Sequence, residues 1–223
     1  MAAAQMMERS GFASAVAHAS RVSAAGTHGH LHAQDLRSVA PGILPRDFDD
    51  LVHILCNLYG RNPAFMDLAL TLCPAGPVQA WLSVAAAAFE RERLYLVRLT
   101  AAVGPPPSTP GNAETEAALV AQRHALWTLA RSERAGCALG VATALISDWA
   151  SIRPLLDRAA MRVGIEPPAF CLPDEASIAT VLDDSAVTVS ADRAIRFGAE
   201  QLLLQHRAMF DLLEARAEAR EFI

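Results

Sequence analysis

Apolar residues recur along this chain three and four apart, and proline or glycine closes each run, the pattern of amphipathic helices. The clearest run covers residues 77–103, with Val78, Leu82, Ala85, Phe89, Leu96, Leu99 and Val103 on one stripe. Pro77 opens it at a position where a missing N–H costs nothing, and Gly104 stops it. A second run is expected over 113–147, with Leu119, Leu126, Ala130, Cys137, Gly140 and Ala144 on its stripe. Asn112 supplies its cap, and Glu114 and Glu116 put negative charge in the first turn, where the helix dipole favours it. A break at Asp148 or before Pro154 leads to a helix over 149–163. Ser190 then caps a last one over 191–219, whose stripe holds Ile195, Ala199, Leu202, Met209 and Leu213. Shorter helices are expected over 46–59, from the Asn62–Pro63 cap to about Cys73, and over 176–182. No alternating run and no Asn-Gly or Asp-Gly hairpin argues for strands. The expected fold is an all-α, single-domain bundle of four main helices plus shorter N-terminal ones. An N-terminal arm (1–45), loose over 26–45, precedes the bundle proper (46–223).

Each main stripe is interrupted once, near its middle, by an ionisable residue: Glu92 in the first long helix, Glu133 in the second, His206 in the last. Antiparallel helices of similar length bring such midpoints to one depth. Two carboxylates and an imidazole there can hold iron, manganese or zinc, or move a proton, with Glu90 and Glu200 at the edges of the same faces. In helix number, helix length and mid-helix acids the chain resembles the ferritin-like bundles, a likeness of architecture that implies a metal or redox role. That class pairs its acids in Glu-x-x-His motifs. Here Glu90, Glu92, Glu133 and Glu200 are followed at that spacing by Arg93, Tyr95, Gly136 and Leu203, so the likeness carries no residue across. The chain is also similar to bacterial all-helical proteins of this size, which implies no activity.

A second reading needs no metal. Arg91, Arg93 and Arg98 flank Glu92, and Arg131 and Arg134 flank Glu133. A buried carboxylate is tolerable when a guanidinium forks onto it, and such a pair fixes helix register. Gly136 and Gly140, four apart, leave a smooth face. Glycine inside a helix costs about 1 kcal/mol against alanine, so two of them suggest a neighbouring helix pressed close.

Composition narrows the function. All 19 basic residues are arginine, which excludes a Schiff-base lysine and a P-loop lysine. A net charge of −5 with no basic, aromatic-interleaved patch argues against nucleic acid. A mean hydropathy of +0.23 owes much to alanine. No apolar run reaches the roughly 18 residues of a membrane span. Glu8, Arg9, His18 and Arg21 interrupt any leader-like core near the N-terminus. Four cysteines without a C-x-x-C pair fit reduced thiols of a cytoplasmic protein.

The segment "THGHLH" alternates His28, His30 and His32. In an extended chain these share a face and can chelate zinc, copper or nickel, although the spacing matches no closed zinc site. No G-x-S-x-G, H-E-x-x-H or dinucleotide fingerprint is present. The expected function is a non-catalytic structural or interaction role, in a homo-oligomer or with a protein partner, through an alanine-rich face. The alternative is a degenerate ferritin-like metal or redox protein using Glu92, Glu133 and His206.

Overall fold

Stripes of alkyl side chains leave water only by packing on one another, and long runs of helix formers do so as helices. The computed structural model describes residues 2–61, 64–71, 73 and 75–221, with side chains from Ser14 to Arg220. Among the described residues there are nine α-helices and no strand. They are α1 (Ala2–Ala25), α2 (Leu31–Ser38), α3 (Pro45–Tyr59), α4 (Phe65–Thr71), α5 (Pro77–Val103), α6 (Asn112–Ala130), α7 (Cys137–Arg162), α8 (Glu175–Ser185) and α9 (Val189–Glu221). A 3-10 turn, Thr27–Gly29, joins α1 to α2. The Asn62–Pro63 cap expected before α4 lies outside the described residues. No helix among them is long and apolar enough to cross a membrane.

α7 and α9 form the central and most extensive contact. Glycine makes it possible: a methyl group at Gly140 would lie 1.9 Å from the Ile195 carbonyl oxygen, and one at Gly198 2.2 Å from that of Cys137. The close approach expected from the glycine pair is therefore real at Gly140. α1 packs on α8 and α9, while α3 and α4 pack against α5 and α6, enclosing the core around Trp149, Phe89, Tyr59 and Phe210. Trp149, Tyr59 and Phe89 meet edge to face, with centroids 5.0–6.0 Å apart.

Three expectations differ. The helix drawn over 113–147 is two helices, α6 and α7, separated by 131–136, because Gly136 takes φ +96°, which a helix cannot contain. The break drawn at Asp148 or Pro154 is absent, and α7 runs through both. Pro154 and Ala150, whose carbonyl loses its partner, are both exposed, so water can solvate the freed oxygen. The stretch 26–45, expected to be loose, holds the 3-10 turn and α2, which pack on α7 and α9.

Candidate functional site

Burial of an ionisable group is costly unless donors or counter-charges replace its water. The interior therefore records, at each charged position, what replaces water there. Glu92, 1% exposed, accepts from Arg153 Nη1 at 2.6 Å and from Trp149 Nε1 at 2.9 Å. Its pKa is nevertheless pushed up by burial, against those donors. Arg153 donates onward to Asp157 at 2.7 Å and to the Pro168 carbonyl, and its guanidinium lies 4.7 Å from the centre of the Tyr95 ring. Glu92 is thus a register lock between α5 and α7. Its arginine comes from across the interface, because neighbours one residue away on a helix face elsewhere. Arg93 is engaged by Glu90, at 2.6 and 2.5 Å, and the edge acid Glu200 pairs with Arg21 at 2.9 Å.

His206 is also fully buried. Its Nδ1–H donates to Asp148 Oδ2 at 2.6 Å, and Nε2 lies 2.5 Å from the Tyr59 hydroxyl. Asp148 Oδ1 accepts from the backbone N–H of Thr27 at 2.8 Å and from its hydroxyl at 3.1 Å. This Thr27–Asp148–His206–Tyr59 chain resembles a nucleophile–base–orienter series, but burial and the Asp148 charge hold the Tyr59 hydroxyl far above its ordinary pKa. It pins the 3-10 turn and α3 to the α7–α9 pair. At Ser147, the residue before Asp148, His18 Nε2 reaches Oγ at 3.4 Å, and burial, aided by Arg21, pushes the His18 pKa down to about 4.

A third cluster ties α3 to the C-terminal end of α9. Asp50 accepts from Arg216 at 2.9 Å and from Arg220, which also reaches Asp47 at 2.5 Å. Thr109 accepts from both guanidinium groups at 3.2 and 3.0 Å, so the proline-rich connection 104–111 is held inward at that point.

Glu133, expected mid-stripe, is exposed in the α6–α7 connection. The same break that ends α6 turns it out of the core, so it locks no register. The structure does not gather Glu92, Glu133 and His206 into one cluster. The segment of His28, His30 and His32 is not one extended run: His28 lies in the 3-10 turn, His30 is a single extended residue before α2, and His32 is the second residue of α2. His30 and His32 are buried, and His28 is half-buried. His30 instead meets α9, its Nε2 lying 2.9 Å from Asp211 Oδ1.

Glu133 does border a cavity of about 780 Å³. Ala69, Val78, Leu82, Ala138, Leu139 and Val187 give it alkyl walls, contributed by α4, α5, α7 and the α8–α9 connection. The exposed Glu133, Arg134 and Asp184 stand at its rim, and the half-buried Cys73 faces it.

Tyr59, Asp148, Arg153, Asp47 and Asp50 lie off the stripes drawn from the sequence. For Asp148 a signal existed: it is the sole charged residue in 137–152. For the others the partners are far apart along the chain, and spacing holds no trace of them.

Residues 22–221 match the DUF6975 family, described as a family of unknown function, and the chain belongs to it. No curated protein and no solved structure matches the chain.

Proposed function

We propose that this DUF6975 member is a non-catalytic binding protein that takes a small apolar molecule into the cavity between the α4–α5 turn and the α6–α7 and α8–α9 connections. The observation that carries this reading is the cavity itself: about 780 Å³, alkyl-walled, with charged side chains confined to its rim. That volume falls within the ~300–1,000 Å³ of small-molecule sites, and such a lining holds ligands by burial while rim polar groups orient them. The interior charges support binding over chemistry, since Glu92, Asp148 and His206 are engaged by fixed partners.

Titration with the neutral fluorophore N-phenyl-1-naphthylamine tests it. Saturable binding of one probe per chain is expected, weakened at least tenfold in Ala138→Phe, which fills the cavity. Unsaturable binding, or equal binding in a variant of unchanged urea midpoint, overturns it.

Self-association belongs to the same reading. Val84, Ala87, Leu94, Val97 and Ala101 are exposed on one side of α5, with Arg91 and Arg98 among them, a face suited to a second copy. Sedimentation should show a dimer that Leu94→Glu with Val97→Glu converts to monomer. Four free cysteines support a reducing compartment such as the cytoplasm.

A further inference from the structure

α2 and α9 meet at a group of side chains that neither the cavity nor the buried ion pairs use. His30 caps the N-terminus of α2, while Asp211 and Glu214 stand three residues apart on one face of α9. One ligand atom from each of the three lies within 4.8 Å of the other two, the only such His, Cys, Asp or Glu set among the described residues. Three features separate this set from an ordinary surface pair. His30 is more than nine-tenths buried, so its imidazole is fixed, while 70% of the Asp211 side chain is exposed and keeps the site open to solvent. Among the described residues neither acid has an arginine in salt-bridge range, whereas Glu92, Asp47 and Asp50 all do. And His32, also more than nine-tenths buried and the second residue of α2, leaves its Nε2 without a partner.

We propose that His30, Asp211 and Glu214 bind one divalent transition-metal ion of the zinc class, with His32, unpartnered at Nε2 and two residues from His30, a candidate fourth donor. One imidazole and two carboxylates suit zinc better than magnesium or calcium, which favour all-oxygen sites. Binding requires His30 Nε2 to be deprotonated and to lie ~2.0–2.1 Å from the ion, with carboxylate oxygens at ~2.0–2.2 Å. Tetrahedral ligands at those lengths are ~3.4 Å apart, so the 2.9 Å His30–Asp211 contact has to open by ~0.5 Å, a shift within reach of the exposed Asp211 side chain. The ion would clamp α2 to α9, and solvent would complete its coordination sphere if His32 does not.

The test is isothermal titration of the chelator-stripped full-length protein with zinc chloride. One zinc per chain at micromolar affinity or tighter is expected, with magnesium chloride giving no heat of binding. Asp211→Asn and Glu214→Gln should each weaken zinc at least tenfold, whereas His28→Ala should change it less than twofold. Asp211 is exposed and Glu214 half-buried, and each change to the isosteric amide keeps the side-chain shape, so a parallel thermal melt should show a larger zinc-dependent rise in Tm in the wild type and His28→Ala than in either acid variant. Zinc binding that is equally tight in Asp211→Asn, or absent from the wild type, overturns the assignment.

Discussion

The crossing of α7 and α9 makes a sharp energetic prediction at Gly140. Replacing it with alanine adds a methyl group 1.9 Å from the Ile195 carbonyl oxygen, 2.7 Å from its carbon and 2.9 Å from its Cα. Non-bonded heavy atoms want about 3.5 Å, and these belong to the α9 backbone, which cannot rotate aside. The helices must separate by over ~1 Å along the most extensive contact in the bundle, loosening Ile195, Val141 and Ala199 in a core that tolerates little slack. Overpacking of this kind costs about 1–3 kcal/mol and sometimes more. The better helix propensity of alanine returns up to about 1 kcal/mol. With a rigid obstacle the clash dominates, and a net loss of about 2–3 kcal/mol is expected, or roughly 5–10 °C in Tm for a domain of this size. Gly29→Ala is the internal control, since nothing lies within 4 Å of a methyl group there, and its change should stay within about 0.5 kcal/mol. Urea unfolding of both variants measures the difference. A Gly140→Ala protein as stable as the wild type, with the same dependence on urea, refutes the close crossing.

Three further outcomes follow from the buried charges. His18 titrates at about 4 in the fold against 6.5 when unfolded, so the native state favours its neutral form. Its contribution is intact above pH 6.5 and is lost as pH falls to about 4, a difference of about 3 kcal/mol that urea midpoints at pH 7.5 and 4 should show and His18→Leu should abolish. Arg153→Met strands the Glu92 carboxylate and should cost about 3–5 kcal/mol in the same assay, whereas adding Glu92→Leu should restore most of that loss. Tyr59→Phe removes the hydroxyl facing His206 Nε2 and should cost about 1–3 kcal/mol by leaving a buried nitrogen unpaired. An unchanged unfolding midpoint contradicts the hydrogen bond.

How much of this was legible in the sequence depends on where the information lies. The bounds of α5 could be read because both ends are chemical: Pro77 sets the first turn, and Gly104, at φ +83°, stops the last. The α6–α7 break could not, because Gly136 and Gly140 look alike in sequence. One takes a left-handed conformation and ends the helical path, while the other stays helical and admits α9. Ile195, more than fifty residues away, lies against both, a contact that neither glycine's local sequence announces. The same holds for the charges. That Glu92 would be buried and held by arginine follows from its stripe. That Arg153 would hold it depends on the register of α5 against α7, which neither helix encodes alone. His30 and Asp211 are 181 positions apart, beyond any motif.

The all-arginine composition makes physical sense once these contacts are known. Arg216 and Arg220 between them serve Asp47, Asp50, Thr109 and the Pro107 carbonyl, and Arg153 serves Glu92, Asp157 and the Pro168 carbonyl. A planar group with five donors can satisfy several acceptors on different helices at once, whereas an ammonium point charge has three donors and a stronger hold on its water. Arg216→Lys and Arg153→Lys should therefore destabilise although charge is kept, since at least one buried acceptor is left unmet in each. By the same logic, a buried acid without an arginine needs another partner, as Asp148 has in His206 and Thr27. Asp211 and Glu214 turn instead toward a buried imidazole, an arrangement that satisfies a metal ion better than it satisfies two carboxylates.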